Sequence, residues 1–292
     1  MSAMGPVIAG FDGTSSGEDA VTLARACARV LDAALVVTTV HPAPAPISSA
    51  RVDAEWVADR HYEAEKVLDA ARKLLDGGER VEYRVVASSS AAHGLHDLAD
   101  SLDASVIVVG SSQRGDGPRL FAGSTANRLL AGSRTPVAIA PPGLRNADPT
   151  GKNRFGVAYI DTADGHAALA LAAEFAARAG ASLTLYSVLV DEAKAVLPVI
   201  GRDGEHAFAE SARDSFQQAL DEAVARLPAG IAATGRVLTG DVIELLADIE
   251  DVDVLFCGSR GYGPARRILL GGVSSRLVRQ ARSPVIVVPR SA

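Results

Sequence analysis

The sequence is poor in features that direct a protein into a membrane or an oxidising compartment. It has 2 cysteines in 292 residues. Cys27 lies in a helical pattern and Cys257 ends an apolar strand pattern, so we expect two buried thiols and no disulfide. No stretch approaches the roughly 18 apolar residues of a membrane span, and the start lacks the basic and apolar segments of a signal peptide. We therefore expect a cytoplasmic protein that does not enter a membrane.

The sequence also lacks an excess of positive charge and an obvious metal-ligand cluster. Its net charge of -6 argues against electrostatic binding of nucleic acid or anionic lipid. His93 and His96 have a spacing of three residues, but no thiol and no third ligand accompanies them, so no metal site is expected. The phosphate-loop pattern G-x4-G-K-[S/T] does not occur anywhere.

What the sequence does contain is an internal repeat. Residues 105–142 align without a gap on residues 253–290, and the start "PVIAGFDGTSSGEDAV" is echoed by "RFGVAYIDTADGHAAL". Between the copies, "PPGLRNADPTGKN" has the proline, glycine and polar residues of a linker. We therefore predict two domains, residues 1–143 and 152–292.

Each copy alternates short apolar strands with helical patterns. Such alternation predicts a parallel sheet that is buried on both faces and joined by right-handed crossovers. The predicted fold class is α/β, with two repeated doubly wound, Rossmann-like domains. In these folds a ligand lies beyond the carboxyl ends of the strands, where the strand order reverses. The loop carrying Asp12 and the loop beginning at Gly110 should flank that crevice, as should their counterparts at Asp161 and Gly258.

A spaced glycine pattern follows the fourth strand of each copy. The second copy reads Gly258-x2-Gly261-x9-Gly271, followed by Gly272, while the first has Gly110, Gly123 and Ser124 but Gln113 at the middle position. The chain here resembles the universal stress protein family, whose nucleotide-binding members carry G-x2-G-x9-G-[S/T]. Glycines let backbone N–H groups form an anion-binding nest, and a helix starting near Ser124 or Val273 would add its positive end.

The resemblance implies an ATP site, with Mg²⁺ accompanying the nucleotide, in one or both copies. It assigns adenosine to Asp12 with Val40, and to Asp161 with Val188. The expected phosphate-binding residues are Gly258, Gly261, Gly271, Gly272 and Ser274 in the second copy and Gly110, Gly123, Ser124 and Thr125 in the first. Other interpretations stay open, because the valines could be core residues, the glycine loops empty turns, and the aspartates only caps of a turn.

The two copies each depart from the pattern at one place. Gly272 removes a hydroxyl that a water molecule could partly replace, whereas Gln113 puts a side chain where the pattern has none. Because an obstruction is harder to relieve than a missing hydrogen bond, we expect the second copy to be the better site.

The function expected from these features is that of a nucleotide-dependent regulator in the stress response, with no catalytic residues. One alternative is a nucleotide-free dimeric interaction module, and a weaker one is an adenylating or slow ATP-hydrolysing enzyme. The apolar terminal strands Val137–Ala140 and Val285–Val288 would be exposed edges. We therefore expect the halves to pack through them as an intramolecular pseudo-dimer, with further homo-oligomerisation of whole chains.

Overall fold

The computed structural model describes residues 4–43, 54–75, 80–112, 119–147, 153–190, 201–259 and 272–289. The chain divides into two compact units, Met1–Pro149 and Thr150–Ala292. Among the described helices, none combines the length and the apolar character needed to cross a membrane.

The first unit is a five-stranded parallel sheet with the order β3-β2-β1-β4-β5. Its elements are β1 Val7–Gly10, α1 Ser15–Leu31, β2 Leu35–Pro42, α2 Ala54–Leu75, β3 Val81–Ser88, α3 Ala91–Leu102, β4 Val106–Gly110, α4 Ser124–Gly132 and β5 Val137–Ala140. A short 3-10 helix, Leu144–Asn146, follows the last strand.

The second unit repeats this arrangement, with the order β8-β7-β6-β9-β10 and parallel pairing throughout. Its elements are β6 Arg154–Ala158, α5 Ala163–Ala179, β7 Ser182–Leu189, α6 Gly201–Ala225, β8 Ala233–Thr239, α7 Val242–Ala247, β9 Val254–Gly258, α8 Gly272–Leu277 and β10 Val285–Val288. The α/β doubly wound fold predicted for each repeat is confirmed.

The apolar runs form the core because helices cover both faces of each sheet. In the first unit Val7, Ile8, Val106 and Ile107 are fully buried, as expected for central parallel strands. Helix α1 begins with an N-cap, where Thr14 Oγ1 accepts a hydrogen bond from the N–H of Gly17. The sequence pattern thus sets both the strands and the helix that starts beside the carboxyl end of β1.

The strand order reverses between β1 and β4 in the first unit and between β6 and β9 in the second. Helix α1 connects β1 to β2, which lies on one side of β1, whereas β4 lies on the other side. A crevice therefore opens between the loop that follows β1 and the loop that follows β4. This placement brings the loop containing Asp12 next to the loop that begins at Gly110.

Candidate functional site

A cleft of about 580 Å³ lies at this switch point in the first unit. It brings together all six residues predicted for the first repeat: Asp12, Val40, Gly110, Gly123, Ser124 and Thr125. These residues come from four separate segments of the chain. The volume is within the range of about 300–1,000 Å³ that is usual for small-molecule sites.

One end of the cleft is an apolar slot. Val40 at the end of β2, Ala91 and Leu95 on α3, and Val109 on β4 line it. Val40 is half-buried, and α3 packs closely against it at Gly94, where an added Cβ would lie only 2.8 Å from Cγ1 of Val40. The exposed part of Val40 gives the cleft an apolar surface.

Asp12 stands at the mouth of the slot and holds the turn into α1. Its Oδ1 accepts hydrogen bonds from the N–H of Thr14 at 3.1 Å and from Oγ1 of Thr14 at 2.6 Å. The turn role that the sequence left open is thus present. The side chain is exposed, so its second oxygen can still accept a hydrogen bond from a ligand hydroxyl.

Thr38 supplies a polar atom that sequence reasoning missed. It lines the cleft two residues before Val40, is 1% exposed, and its Oγ1 is buried without a hydrogen-bond partner in the described part of the chain. A buried hydroxyl without a partner costs about 1–3 kcal/mol. Its signal in the sequence is weak, because a threonine inside an apolar strand is common.

The opposite end of the cleft is the N-terminus of α4. The helix begins at Ser124, as the sequence predicted, and its N-cap, Gly123, has no side chain to bond the first N–H groups. The first turn carries no acidic residue. Ser124, Thr125 and Ala126 line the cleft, so their N–H groups and the positive helix end face it.

Hydrogen bonds join the two described ends of the loop between β4 and α4. Oγ of Ser111 accepts from the N–H of Phe121 at 2.6 Å, and the N–H of Ser112 donates to the carbonyl of Phe121 at 2.7 Å. Nδ2 of Asn127 donates to the carbonyls of Ala122 at 2.8 Å and Gly123 at 3.0 Å. These bonds therefore fix the two ends of the loop beside the cleft.

Gly110 has a packing role that the glycine pattern does not reveal. A Cβ at this position would lie 2.0 Å from the carbonyl oxygen of Ser16, in the first turn of α1. The equivalent Gly258 meets the same constraint, because its Cβ would lie 2.8 Å from Cβ of Asp164. The first glycine of each pattern is thus needed for the helix to approach the strand, whether or not a ligand binds.

The second unit presents its predicted residues differently. Val188 is 1% exposed, while Asp161 is exposed and its Oδ1 lies 2.7 Å from Nε2 of His166. Ser274 is buried and donates through Oγ to the carbonyl of Ser259 at 3.1 Å. Gly258 ends β9 and Gly272 opens α8.

Part of the predicted second site lies outside the described residues. This applies to Gly261 and Gly271, and in the first repeat to Gln113. The expectation that the second copy is the better site therefore stays a prediction.

The described residues contain no group of three or more His, Cys, Asp or Glu side chains placed to hold a metal ion. Both cysteines are free and buried, and burial raises the pKa of each thiol to about 12. A second cavity of about 440 Å³ lies against α5 and α6, lined largely by apolar side chains with His166, Glu174 and Arg226. It contains none of the residues predicted to bind ligand.

Comparisons with known proteins agree with this architecture. The model of the Universal stress protein family matches residues 4–141 and 153–289. Universal stress protein Rv2319c of Mycobacterium tuberculosis (strain ATCC 25618 / H37Rv) is 29% identical over 295 residues, which cover 97% of this chain and 99% of that protein.

Two solved structures extend the comparison. The crystal structure of a universal stress protein from Archaeoglobus fulgidus DSM 4304 has a TM-score of 0.67 at 19% identity, with 98% of this chain and 97% of that one covered. A universal stress protein crystallised in complex with cAMP is 27% identical and covers 49% of this chain and 100% of its own, with a TM-score of 0.38. Because the family model spans most of both units, the chain belongs to the universal stress protein family and carries its domain twice.

Proposed function

We propose that this chain is a nucleotide-dependent regulator of the stress response that binds ATP, with its Mg²⁺, in the cleft of the first unit. The observation that carries the proposal is the order of groups along that cleft. An apolar slot at Val40 is followed by the carboxylate of Asp12 and then by the N-terminus of α4 at Ser124. A base, a ribose and a phosphate chain follow one another in the same order.

Each part of the nucleotide finds a matching chemical group. The base would lie between Val40 and Leu95, where it leaves water for an apolar surface. The ribose hydroxyls would donate to Asp12. The phosphates would accept from the N–H groups of Ser124 and Thr125, which complement negative charge without a lysine. Mg²⁺ usually keeps several waters and binds through substrate phosphates, so a dedicated protein cage is not required.

The phosphate end is equipped for binding rather than for catalysis. The described residues that line it beside the α4 N-terminus are glycines, serines, a threonine and an alanine, none of which has a basic side chain. Phosphoryl transfer depends on positioned cations and on a residue that orients the nucleophile. We therefore expect ATP hydrolysis to be slow at most, and the bound nucleotide to act as a signal.

A nucleotide-free interaction module is the second candidate, and a specific observation favours it. Gly110 is explained by its contact with Ser16, and Asp12 by its turn with Thr14, without any ligand. The unpartnered hydroxyl of Thr38 points the other way, because a bound molecule or water would satisfy it.

The two free, buried thiols support a reducing compartment, and we propose the cytoplasm.

Calorimetric titration of the full chain with ATP and Mg²⁺ tests the proposal. ATP at about 100 times its dissociation constant should stabilise the native state by roughly 2.7 kcal/mol. Ala91→Leu, which fills the apolar slot from the first position of α3, should abolish binding. His93→Leu, on the exposed side of the same helix, should bind as the natural chain does. Absence of heat and of a thermal shift at millimolar ATP would favour the interaction module.

A further inference from the structure

We propose that the chain binds one nucleotide, in the first unit, because Asp164 and the α7 residues Val242 and Leu245 disable the equivalent cleft of the second unit. This inference rests on the proposed function, since it concerns which of two related sites is used. It reverses the ranking that the glycine patterns suggested.

The two clefts can be compared residue by residue because their frames match. Oγ1 of Thr39 donates to the carbonyl of Phe11 at 2.9 Å, and Oγ of Ser187 donates to the carbonyl of Tyr159 at 2.7 Å. Each pair joins the second strand of a unit to the residue just after its first strand. Val40 and Val188 each follow the donor and are therefore structural counterparts.

The helix caps extend the match to the start of α1 and α5. Thr14 caps α1 by accepting from Gly17, and Thr162 caps α5 by accepting from Gly165. Ser16 of the first unit therefore corresponds to Asp164 of the second, and each lies against the glycine that ends the neighbouring strand. A neutral hydroxyl in one unit is replaced by a carboxyl group in the other.

This exchange falls at the phosphate end of the cleft. Oγ of Ser16 donates to the carbonyl of Ser111 at 2.5 Å, and Ser16 lines the first cleft. Asp164 is buried and accepts from Oγ of Ser259 at 3.4 Å. Among the described residues, no lysine or arginine forms an ion pair with Asp164. A carboxylate there would repel the phosphates that the first unit attracts.

The base end differs as well. Counting from the N-caps Ser90 and Asp241, Ala91 of α3 corresponds to Val242 of α7, and Gly94 corresponds to Leu245.

The α7 residues are bulkier at both positions. Val242 is buried, and Val188 is 1% exposed whereas Val40 borders an open slot. A base entering the second cleft would therefore meet buried Val242 and Val188 where the first cleft leaves room beside Ala91 and Val40.

Titration of the full chain with ATP and Mg²⁺ distinguishes one site from two. The expected stoichiometry is one per chain, falling to none in Ala91→Leu. Ser16→Asp should weaken binding at least tenfold, and Ser16→Ala, which loses the same hydrogen bond without adding charge, should weaken it less. Asp164→Ser combined with Val242→Ala and Leu245→Ala, which removes all three side chains proposed to disable the second cleft, should raise the stoichiometry above one at millimolar ATP, whereas Asp164→Ser alone should leave it at one.

The outcomes separate this inference from the proposed function. Two sites in the natural chain, or one site remaining in Ala91→Leu, would overturn the one-nucleotide proposal while leaving ATP binding intact. A stoichiometry that stays at one in the Asp164→Ser/Val242→Ala/Leu245→Ala variant would overturn the disabling role given to these three residues. No binding by the natural chain would overturn the proposed function and this inference together.

Discussion

The hydroxyl of Ser16 donates a hydrogen bond to the carbonyl of Ser111 at 2.5 Å, although the two residues are 95 positions apart. This bond ties the first turn of α1 to the loop that leaves β4. The carbonyl of the same serine faces Gly110 so closely that a methyl group cannot fit between them. The geometry of the cleft therefore depends on this one junction.

Gly110→Ala should destabilise the first unit. Its Cβ would lie 2.0 Å from the carbonyl oxygen of Ser16, and overpacking of this kind typically costs about 1–3 kcal/mol. Denaturant unfolding followed by circular dichroism measures the loss. Gly272→Ala is the matched control, because among the described residues outside its own stretch of helix no heavy atom lies within 4 Å of the added Cβ. Equal stability of the two variants would contradict the packing role.

Thr38→Val should weaken ligand binding without lowering the stability of the fold. Valine has nearly the same shape and removes an unpartnered buried hydroxyl, so the free energy of unfolding should stay equal or rise by up to about 1 kcal/mol. ATP affinity should fall by roughly fivefold if a ligand atom satisfies that hydroxyl. Thr39→Val is the control and should lower the free energy of unfolding, because it removes the hydrogen bond from Oγ1 of Thr39 to the carbonyl of Phe11. Unchanged affinity in Thr38→Val would exclude a contact with the base.

Ser124→Asp should stabilise α4 and weaken nucleotide binding. An acidic residue at the first helical position is favoured by the helix dipole by about 0.3–1 kcal/mol. The same charge would meet the phosphates, so affinity should drop at least tenfold, as measured by calorimetry. Ser124→Ala removes the hydroxyl alone and should lose less. Parallel loss of stability and affinity in the aspartate variant would indicate a damaged helix instead.

The N-cap Asp241 should make the stability of the second unit pH-dependent. Hydrogen bonds from the backbone N–H groups of Glu244 and Ile243 lower the pKa of its carboxyl group. A carboxyl group whose pKa is lower in the folded state than in the unfolded state stabilises the protein above its unfolded pKa of about 4. This stabilisation is lost as the pH falls through the pKa of the folded state. Unfolding of the natural chain and Asp241→Asn between pH 7 and pH 3 measures this.

The difference in stability between these two proteins should shrink below about pH 4, because asparagine still caps a helix but does not titrate. A difference that does not change with pH would contradict the assignment to Asp241.

The predicted pseudo-dimer of the two halves can be tested in solution. If the halves pack through Val137–Ala140 and Val285–Val288, small-angle scattering should give a single compact particle whose dimensions do not change with moderate salt. Two domains moving independently on the linker would give a larger radius and refute the prediction. Light scattering on the same samples would show whether whole chains associate further.

Much of the fold followed from the sequence because it depends on local pattern. The internal repeat indicated a duplicated α/β fold, and apolar runs and helical spacing predicted strands and helices in the right order. The helix start at Ser124 was predicted because a glycine followed by a hydroxyl residue before an apolar pattern is a local signal. The resemblance to the universal stress protein family named the candidate residues of the first repeat, which line one cleft in the structure; their role in binding stays a prediction.

What the tertiary structure decided is how residues distant in sequence meet. Val40 is half-buried whereas its counterpart Val188 is buried, and no strand pattern records this difference. The junctions of Ser16 with Ser111 and of Asp164 with Ser259 each bridge 95 positions. Glycine spacing alone made the two repeats look almost equivalent, whereas side-chain volume and charge at these non-local contacts differ between the two units.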